Sequence, residues 1–193
     1  MGKGEMNMSP EYGSDEWESI YQEILQKRLQ GAKKPYVQGT PEWVDAYEKM
    51  LQGDAEYKEA AAGWEGTVVL HSLADPDLGI ERDSYILMDL WHGECRSIRP
   101  VPPEVGEAAD YVITGSYWTW KQSGKGELDT NKAVMQGKLK LKGDLGSIVR
   151  YNKASSRLTE LSGQLGGRFL DELDSEEAEE IRMLTEEMVT RLM

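Results

Sequence analysis

The residues best able to do covalent chemistry are few. The chain contains two histidines, His71 and His92, and one cysteine, Cys95. His92 and Cys95 stand three apart, and a thiolate beside an imidazole can form a nucleophile or two metal ligands. Nothing nearby supplies further zinc ligands, and the chain has no serine-hydrolase elbow, zinc-protease motif or phosphate-binding loop. We therefore expect no enzyme activity, no catalytic residue and no bound metal.

An acidic segment offers the only other suggestion of a metal site. Asp75, Asp77 and Glu81 surround Gly79, and carboxylates at alternating positions can face one calcium ion. The spacing does not match an EF-hand, so an acidic surface turn is the better interpretation. The glycines in residues 124–126 and 163–167 do not follow a strand and open a helix, as nucleotide sites require. No cofactor is expected.

Composition sets the class of protein. The 193 residues carry 35 acidic and 22 basic side chains, a formal charge of −13, so tight binding to nucleic acid is disfavoured. No stretch is apolar enough for a membrane helix, no signal peptide is evident, and the lone cysteine suits a reducing compartment. These features predict a cytoplasmic globular protein with no stable membrane insertion.

The first third of the chain has a helical pattern. Apolar residues recur every three or four positions from Trp17 to Leu29, with Ser14 or Asp15 as the cap. Thr40 followed by Pro41 predicts the start of a second helix, which Gly53 interrupts before a short third piece. We expect residues 1–63 to form a helical extension packed on a core domain of residues 64–193.

A β-rich region follows from Trp64. Residues 67–70, 84–91, 95–101, 109–114 and 137–143 are predicted strands, and the short turn at residues 92–94 predicts a hairpin. In the fifth strand, Lys138, Lys140 and Lys142 alternate with leucines, which predicts three lysines on one solvated face.

The remaining elements are predicted helices. They cover residues 117–121, a short helix capped by Asp129, a helix or broken pair from Leu145 to Leu165, and a C-terminal helix capped by Asp174. The last one carries an apolar stripe from Ile181 to Leu192, which could fold back as a lid over a tunnel, dock on the core or pair with a second copy. The six tryptophans and nine tyrosines could lie either in the core or at the rim of a pocket.

A longer motif carries a family resemblance. It begins with Ala-Asp-Tyr-Val-Ile-Thr at residues 109–114, continues through Trp120, and includes Met-Gln-Gly-Lys-Leu-Lys-Leu-Lys-Gly at residues 135–143. This order resembles the sterol carrier protein type 2 family, and the N-terminal helices and the Trp-His-Gly-Glu-Cys turn look like a microbial branch of it. The resemblance is strong over residues 109–151 and extends back to Trp64.

The resemblance implies an α+β fold, in which a five-stranded, mostly antiparallel sheet packs against helices and an apolar tunnel lies between them. Carried over by position, it predicts a set of ligand-binding residues. These are Tyr111, Ile113, Trp118, Trp120, Met135, Gln136, Leu139, Leu141, Leu145 and Ile148.

The implied function is non-catalytic binding or transfer of an apolar small molecule or lipid, such as a sterol, fatty acid, acyl-CoA or phospholipid. The alternative is a protein-interaction module with a filled core, in which the C-terminal stripe binds another protein or forms a homodimer.

Overall fold

A five-stranded sheet forms the centre of the protein, in a computed structural model that describes residues 9–193. The sheet has the order β3-β2-β1-β4-β5. Only the β1–β4 pair is parallel; the other three are antiparallel. The strands are β1 (Glu65–Ser72), β2 (Ser84–Trp91), β3 (Glu94–Pro100), β4 (Tyr111–Gly115) and β5 (Lys140–Lys142).

The β2–β3 hairpin confirms its prediction. Its loop consists of His92 and Gly93, which both have positive φ, at 50° and 81°. Two consecutive positive φ angles are typical of a type I′ turn, whose twist matches that of the flanking strands. Asparagine is more usual than histidine at the first position, and the backbone N–H of His92 is held there by the carbonyl of Trp64 at 2.7 Å.

Nine α-helices surround the sheet in the described part of the chain. They are α1 (Asp15–Gly31), α2 (Pro41–Gln52), α3 (Ala55–Ala60), α4 (Pro103–Glu107), α5 (Tyr117–Gly124), α6 (Thr130–Met135), α7 (Leu145–Arg150), α8 (Asn152–Leu165) and α9 (Ser175–Leu192). The side chains of Ser14, Asp129 and Asp174 cap their helices as expected. None of these helices is long and apolar enough to cross a bilayer.

Two local features were not foreseen, and one expectation was wrong. Helix α4 has no periodic signal, because it has five residues that include a proline and a glycine. Helix α2 begins after Thr40 as expected, with Pro41 in its first turn, but the Thr40 hydroxyl donates to the carbonyl of Val37 instead of capping the helix. Strand β5 is only three residues long, and the N–H of Lys138 bonds to Ala133 in the turn before it, so the three lysines do not share one strand face.

The two faces of the sheet bury different sets of residues. On one face, Val69, Leu87 and Val112 pack with Val101 and Ala109. The other face meets the helical layer and contributes to the largest core cluster. Alternation along β1, β2 and β4 assigns neighbouring residues to opposite faces.

Helices α1 and α9 form a second, smaller core. Trp17, Tyr21 and Ile24 of α1 are buried with Leu184 and Met188 of α9. The indole N–H of Trp17 donates to the carbonyl of Leu192 at 3.0 Å, which ties the first and last helices together. The C-terminal stripe therefore packs within its own chain, on the first helix.

The hairpin turn gives a test of packing. A Cβ atom on Gly93 would lie 2.3 Å from the carbonyl oxygen of Lys58, whereas Gly126, with a similar φ of 73°, has open space around it. Gly126→Ala should cost about 1 kcal/mol from backbone strain alone. Gly93→Ala should cost more than about 3 kcal/mol, because backbone must also move. Urea denaturation of both variants measures the difference, and equal midpoints would contradict this packing.

Candidate functional site

A large cavity lies between the sheet and the helical layer. Its volume is about 750 Å³, within the range of small-molecule sites. The sheet side of its wall is entirely apolar in the centre and comes from alternate residues of three strands. These residues are Val68, Leu70, Ile86, Met88, Leu90 and Ile113.

Aromatic rings anchored by hydrogen bonds form much of the opposite wall. Trp43 and Tyr47 of α2 stack with ring centroids 5.1 Å apart. The indole N–H of Trp43 donates to Gly166 at 2.7 Å, and the hydroxyl of Tyr47 donates to Leu158 at 2.8 Å. Because each polar tip bonds to a backbone carbonyl, the apolar faces of the rings are held in place along the cavity.

Two further tryptophans in the wall are anchored in the same way. The indole N–H of Trp120 donates to the backbone carbonyl of His71 at 2.9 Å, and that of Trp64 donates to the backbone carbonyl of Gly66 at 3.0 Å. Trp64 also packs against Tyr111 and Tyr151. These contacts link α5 and the start of β1 to the sheet around the cavity.

Uncharged polar groups line the part of the cavity formed by α5, α6 and α8. The hydroxyl of Thr130 lies 3.0 Å from that of Ser123 and 3.1 Å from that of Thr159. The side-chain amide of Gln38 donates to Ser162 at 3.1 Å. We call Gln38, Ser123, Thr130, Thr159 and Ser162 the hydroxyl wall. It can exchange hydrogen bonds with a neutral polar group of a ligand.

The C-terminal segment closes another side of the cavity. Helix α9 contributes Ile181, Leu184 and Met188 to the wall, and Phe169 precedes it. Leu184 and Met188 also belong to the α1–α9 core. The same helix therefore completes the cavity and holds α1.

The charged side chains at the cavity are all paired. Lys121 lies 2.5 Å from Asp171 and 3.0 Å from Glu172. Arg82 lies 3.1 Å from Glu186, and Asp83 lies 2.8 Å from His71. A bound anion would have to compete with these carboxylates for either cation.

Three of the ten predicted site residues line this cavity. They are Ile113 of β4, Trp120 of α5 and Ile148 of α7. Tyr111, Leu139 and Leu141 belong to or pack against the same apolar core, but they do not line the cavity. Leu139, for example, is fully buried and packs closely against Gly115.

The expectation that Met135 and Leu145 lie in the apolar layer was wrong, since they are 74% and 49% exposed. Helices α6 and α7 have six residues each and bury Ala133 and Ile148, which turns Met135 and Leu145 outwards. Trp118 is 50% exposed on α5, while its neighbour Trp120 is turned inwards. Gln136 is exposed at the C-cap of α6.

Most of the wall comes from elements outside the strong part of the motif. The sequence predicts strands at residues 67–70 and 84–91, and a helix through Trp43 and Tyr47. Neither prediction shows that these elements enclose a common space. The hydroxyl wall gave no sequence signal, because isolated serines and threonines are common on any surface helix.

The two residues that the sequence offers as a nucleophile pair, His92 and Cys95, do not line the cavity. His92 is exposed and pairs with Glu65 at 2.6 Å. Cys95 is buried, and burial raises the pKa of its thiol to about 12, so it is protonated at neutral pH. Within residues 9–193, no three His, Cys, Asp or Glu side chains are grouped to hold a metal ion.

Comparisons with known proteins agree on one family. The model of the SCP-2 sterol transfer family matches residues 47–154. A crystal structure of sterol carrier protein 2 is 34% identical with a TM-score of 0.59, and the match covers 64% of this chain and 95% of that one.

A second solved structure is of a conserved hypothetical protein from Thermus thermophilus, described as possibly a sterol carrier protein. It is 32% identical with a TM-score of 0.62, and the match covers 72% of this chain and 97% of that one. No curated protein sequence matches this chain.

The ion cluster beside the cavity predicts a pH dependence. Hydrogen bonds from Lys125 and Lys121 lower the pKa of Glu172 from 4.5 to about 2. A carboxylate with a lowered pKa stabilises the fold above its unfolded pKa and stops doing so as pH falls through the folded value. Glu172→Gln should therefore be less stable than the parent at pH 7, and the gap should close between pH 4.5 and about 2. Thermal unfolding at several pH values measures it; a gap that does not change with pH would contradict the ion pairs.

Proposed function

Because the chain belongs to the SCP-2 sterol transfer family, we propose that it binds or transfers an apolar ligand in the cavity between sheet and helices, without catalysing a reaction. The ligand classes considered are sterol, fatty acid, acyl-CoA and phospholipid. The observation that carries the proposal is the cavity itself, with its volume of about 750 Å³ and its apolar sheet wall.

The magnitudes favour reversible binding. Removing on the order of 300 Å² of ligand surface from water contributes roughly 7 kcal/mol at about 25 cal/mol/Å². Ordering and association costs reduce this, so we expect affinities near the micromolar range. A carrier needs such values, since it must also release its ligand.

The polar part of the wall favours a particular kind of ligand. The hydroxyl wall offers donors and acceptors without charge, and Lys121 and Arg82 are already paired with carboxylates. A lipid with an apolar body and one neutral polar group would satisfy both sides of the cavity. We therefore rank neutral lipids above anionic ones.

Support for a non-catalytic role comes from the placement of the reactive groups. Cys95 is buried and protonated, and His92 pairs with Glu65 at the far end of the hairpin. Neither of them lines the cavity.

The alternative function, an interaction module, loses the feature that suggested it. The apolar stripe of α9 is covered by Trp17, Tyr21 and Ile24 of the same chain. We therefore do not propose a homodimer through this helix.

Filling the cavity should abolish binding. Ala154 of α8 is buried and lines the cavity, so Ala154→Trp places an indole in the ligand space. The probe is a fluorescent fatty acid or sterol, whichever the parent binds more tightly. We expect its affinity to fall at least tenfold, a loss of binding free energy on the order of 1.4 kcal/mol. Fluorescence titration gives the dissociation constants.

Two further variants make this test decisive. Ala55→Trp, at the exposed start of α3, adds the same ring outside the cavity and should bind like the parent. Leu158→Trp changes a second, partly buried wall residue and serves if Ala154→Trp does not fold. Unchanged affinity in a folded wall variant would show that the cavity is not the binding site.

A further inference from the structure

One edge of this acidic protein is strongly basic. Between residues 132 and 153 the chain carries six basic side chains and a single carboxylate, Asp144, whereas the whole chain has a charge of −13. We call these six residues the basic edge. They are Lys132, Lys138, Lys140, Lys142, Arg150 and Lys153.

The basic edge is exposed and lacks ion-pair partners. All six side chains are exposed, and within residues 9–193 none of them forms a salt bridge. Lys142 donates to the backbone carbonyl of Glu107. By contrast, Arg28, Arg99 and Arg157 elsewhere each bind two or more carboxylates. The positive charge of this edge is therefore free to attract an anionic partner.

Exposed apolar side chains lie in the same segment of the chain as these charges. Leu145 and Val149 are both about half exposed, and their spacing of four residues puts them on the same face of α7. Met135 is exposed at the end of α6. Alkyl groups flanked by lysine and arginine are the composition of surfaces that rest in a lipid interface.

The basic edge and the exposed apolar residues beside it in the chain lie close to the cavity. Strand β5 is an edge of the sheet, and α6 and α7 adjoin it directly in the chain. On α7, Ile148 lines the cavity while Leu145 and Val149 are exposed. A bilayer against α7 would thus be one helix away from the ligand space.

From these observations we infer that the basic edge, with Leu145, Val149 and Met135, docks on the surface of an anionic bilayer. The exposed alkyl groups favour a bilayer over nucleic acid, whose phosphates would pair with the lysines but leave the alkyl groups without a partner. The acidic neighbours are already engaged, because Asp129 and Asp144 cap α6 and α7, Asp110 accepts from Thr67 and Glu107 accepts from Tyr85. Docking does not depend on which ligand the cavity holds, so it can be tested separately.

Vesicle binding tests the inference. The full chain is mixed with phosphatidylcholine vesicles containing about one third phosphatidylserine and then separated by flotation. We expect binding that weakens as salt rises from about 0.05 to 0.2 M, and little binding to pure phosphatidylcholine. Replacing Lys138, Lys140 and Lys153 by glutamine should weaken binding on the order of 100-fold, at roughly fivefold per charge.

A matched control separates the effect of the basic edge from the effect of the protein's net charge. Glutamine at Lys33, Lys34 and Lys58 removes the same charge from exposed sites outside the edge and should leave binding within about threefold of the parent. Leu145→Ser with Val149→Ser should weaken binding without changing the net charge. Equal losses in both lysine variants, or binding to an RNA homopolymer but not to the anionic vesicles, would overturn the inference.

Discussion

The structure depends on keeping a gap open between a sheet and helices that both present apolar surface. Such surfaces normally close together, because burying both removes more area from water. Here the rings of Trp43, Tyr47, Trp64 and Trp120 stand in the gap, and each polar tip is bonded to a backbone carbonyl. Turning any of these rings away would leave its N–H or O–H donor unpaired in a buried setting, at a cost of about 1–3 kcal/mol. The aromatic residues are therefore held in place around the cavity.

The remaining features follow from that gap. Helix α9 closes one side of it and is itself held by Trp17 and by ion pairs such as that between Arg191 and Glu23. Pairing neutralises the cations beside the cavity, and the hydroxyl wall supplies polarity without charge. A space of this kind suits a mostly apolar molecule with a neutral polar group. This agrees with membership of the SCP-2 sterol transfer family.

Local signals in the sequence predicted much of the fold. The sequence predicts the observed bounds of the strand at residues 84–91, the His92-Gly93 turn, and the caps at Ser14, Asp129 and Asp174, because each depends on a few neighbouring residues. The residues that line the cavity are harder to predict from the sequence. The family resemblance places Met135 and Leu145 at the ligand, and six-residue helices such as α6 and α7 have too few turns for the sequence to show that these side chains are exposed. The sharing of one cavity by α2, α8 and β2 arises from contacts between distant parts of the chain.

The most direct test of ligand binding in the cavity is native mass spectrometry of the purified protein, followed by solvent extraction and lipid analysis of whatever accompanies it. We expect one apolar molecule per chain, displaced when Ala154 is replaced by tryptophan. Protein that is reproducibly empty, and that also fails to take up fluorescent fatty acids or sterols, would contradict a ligand-binding role for the cavity.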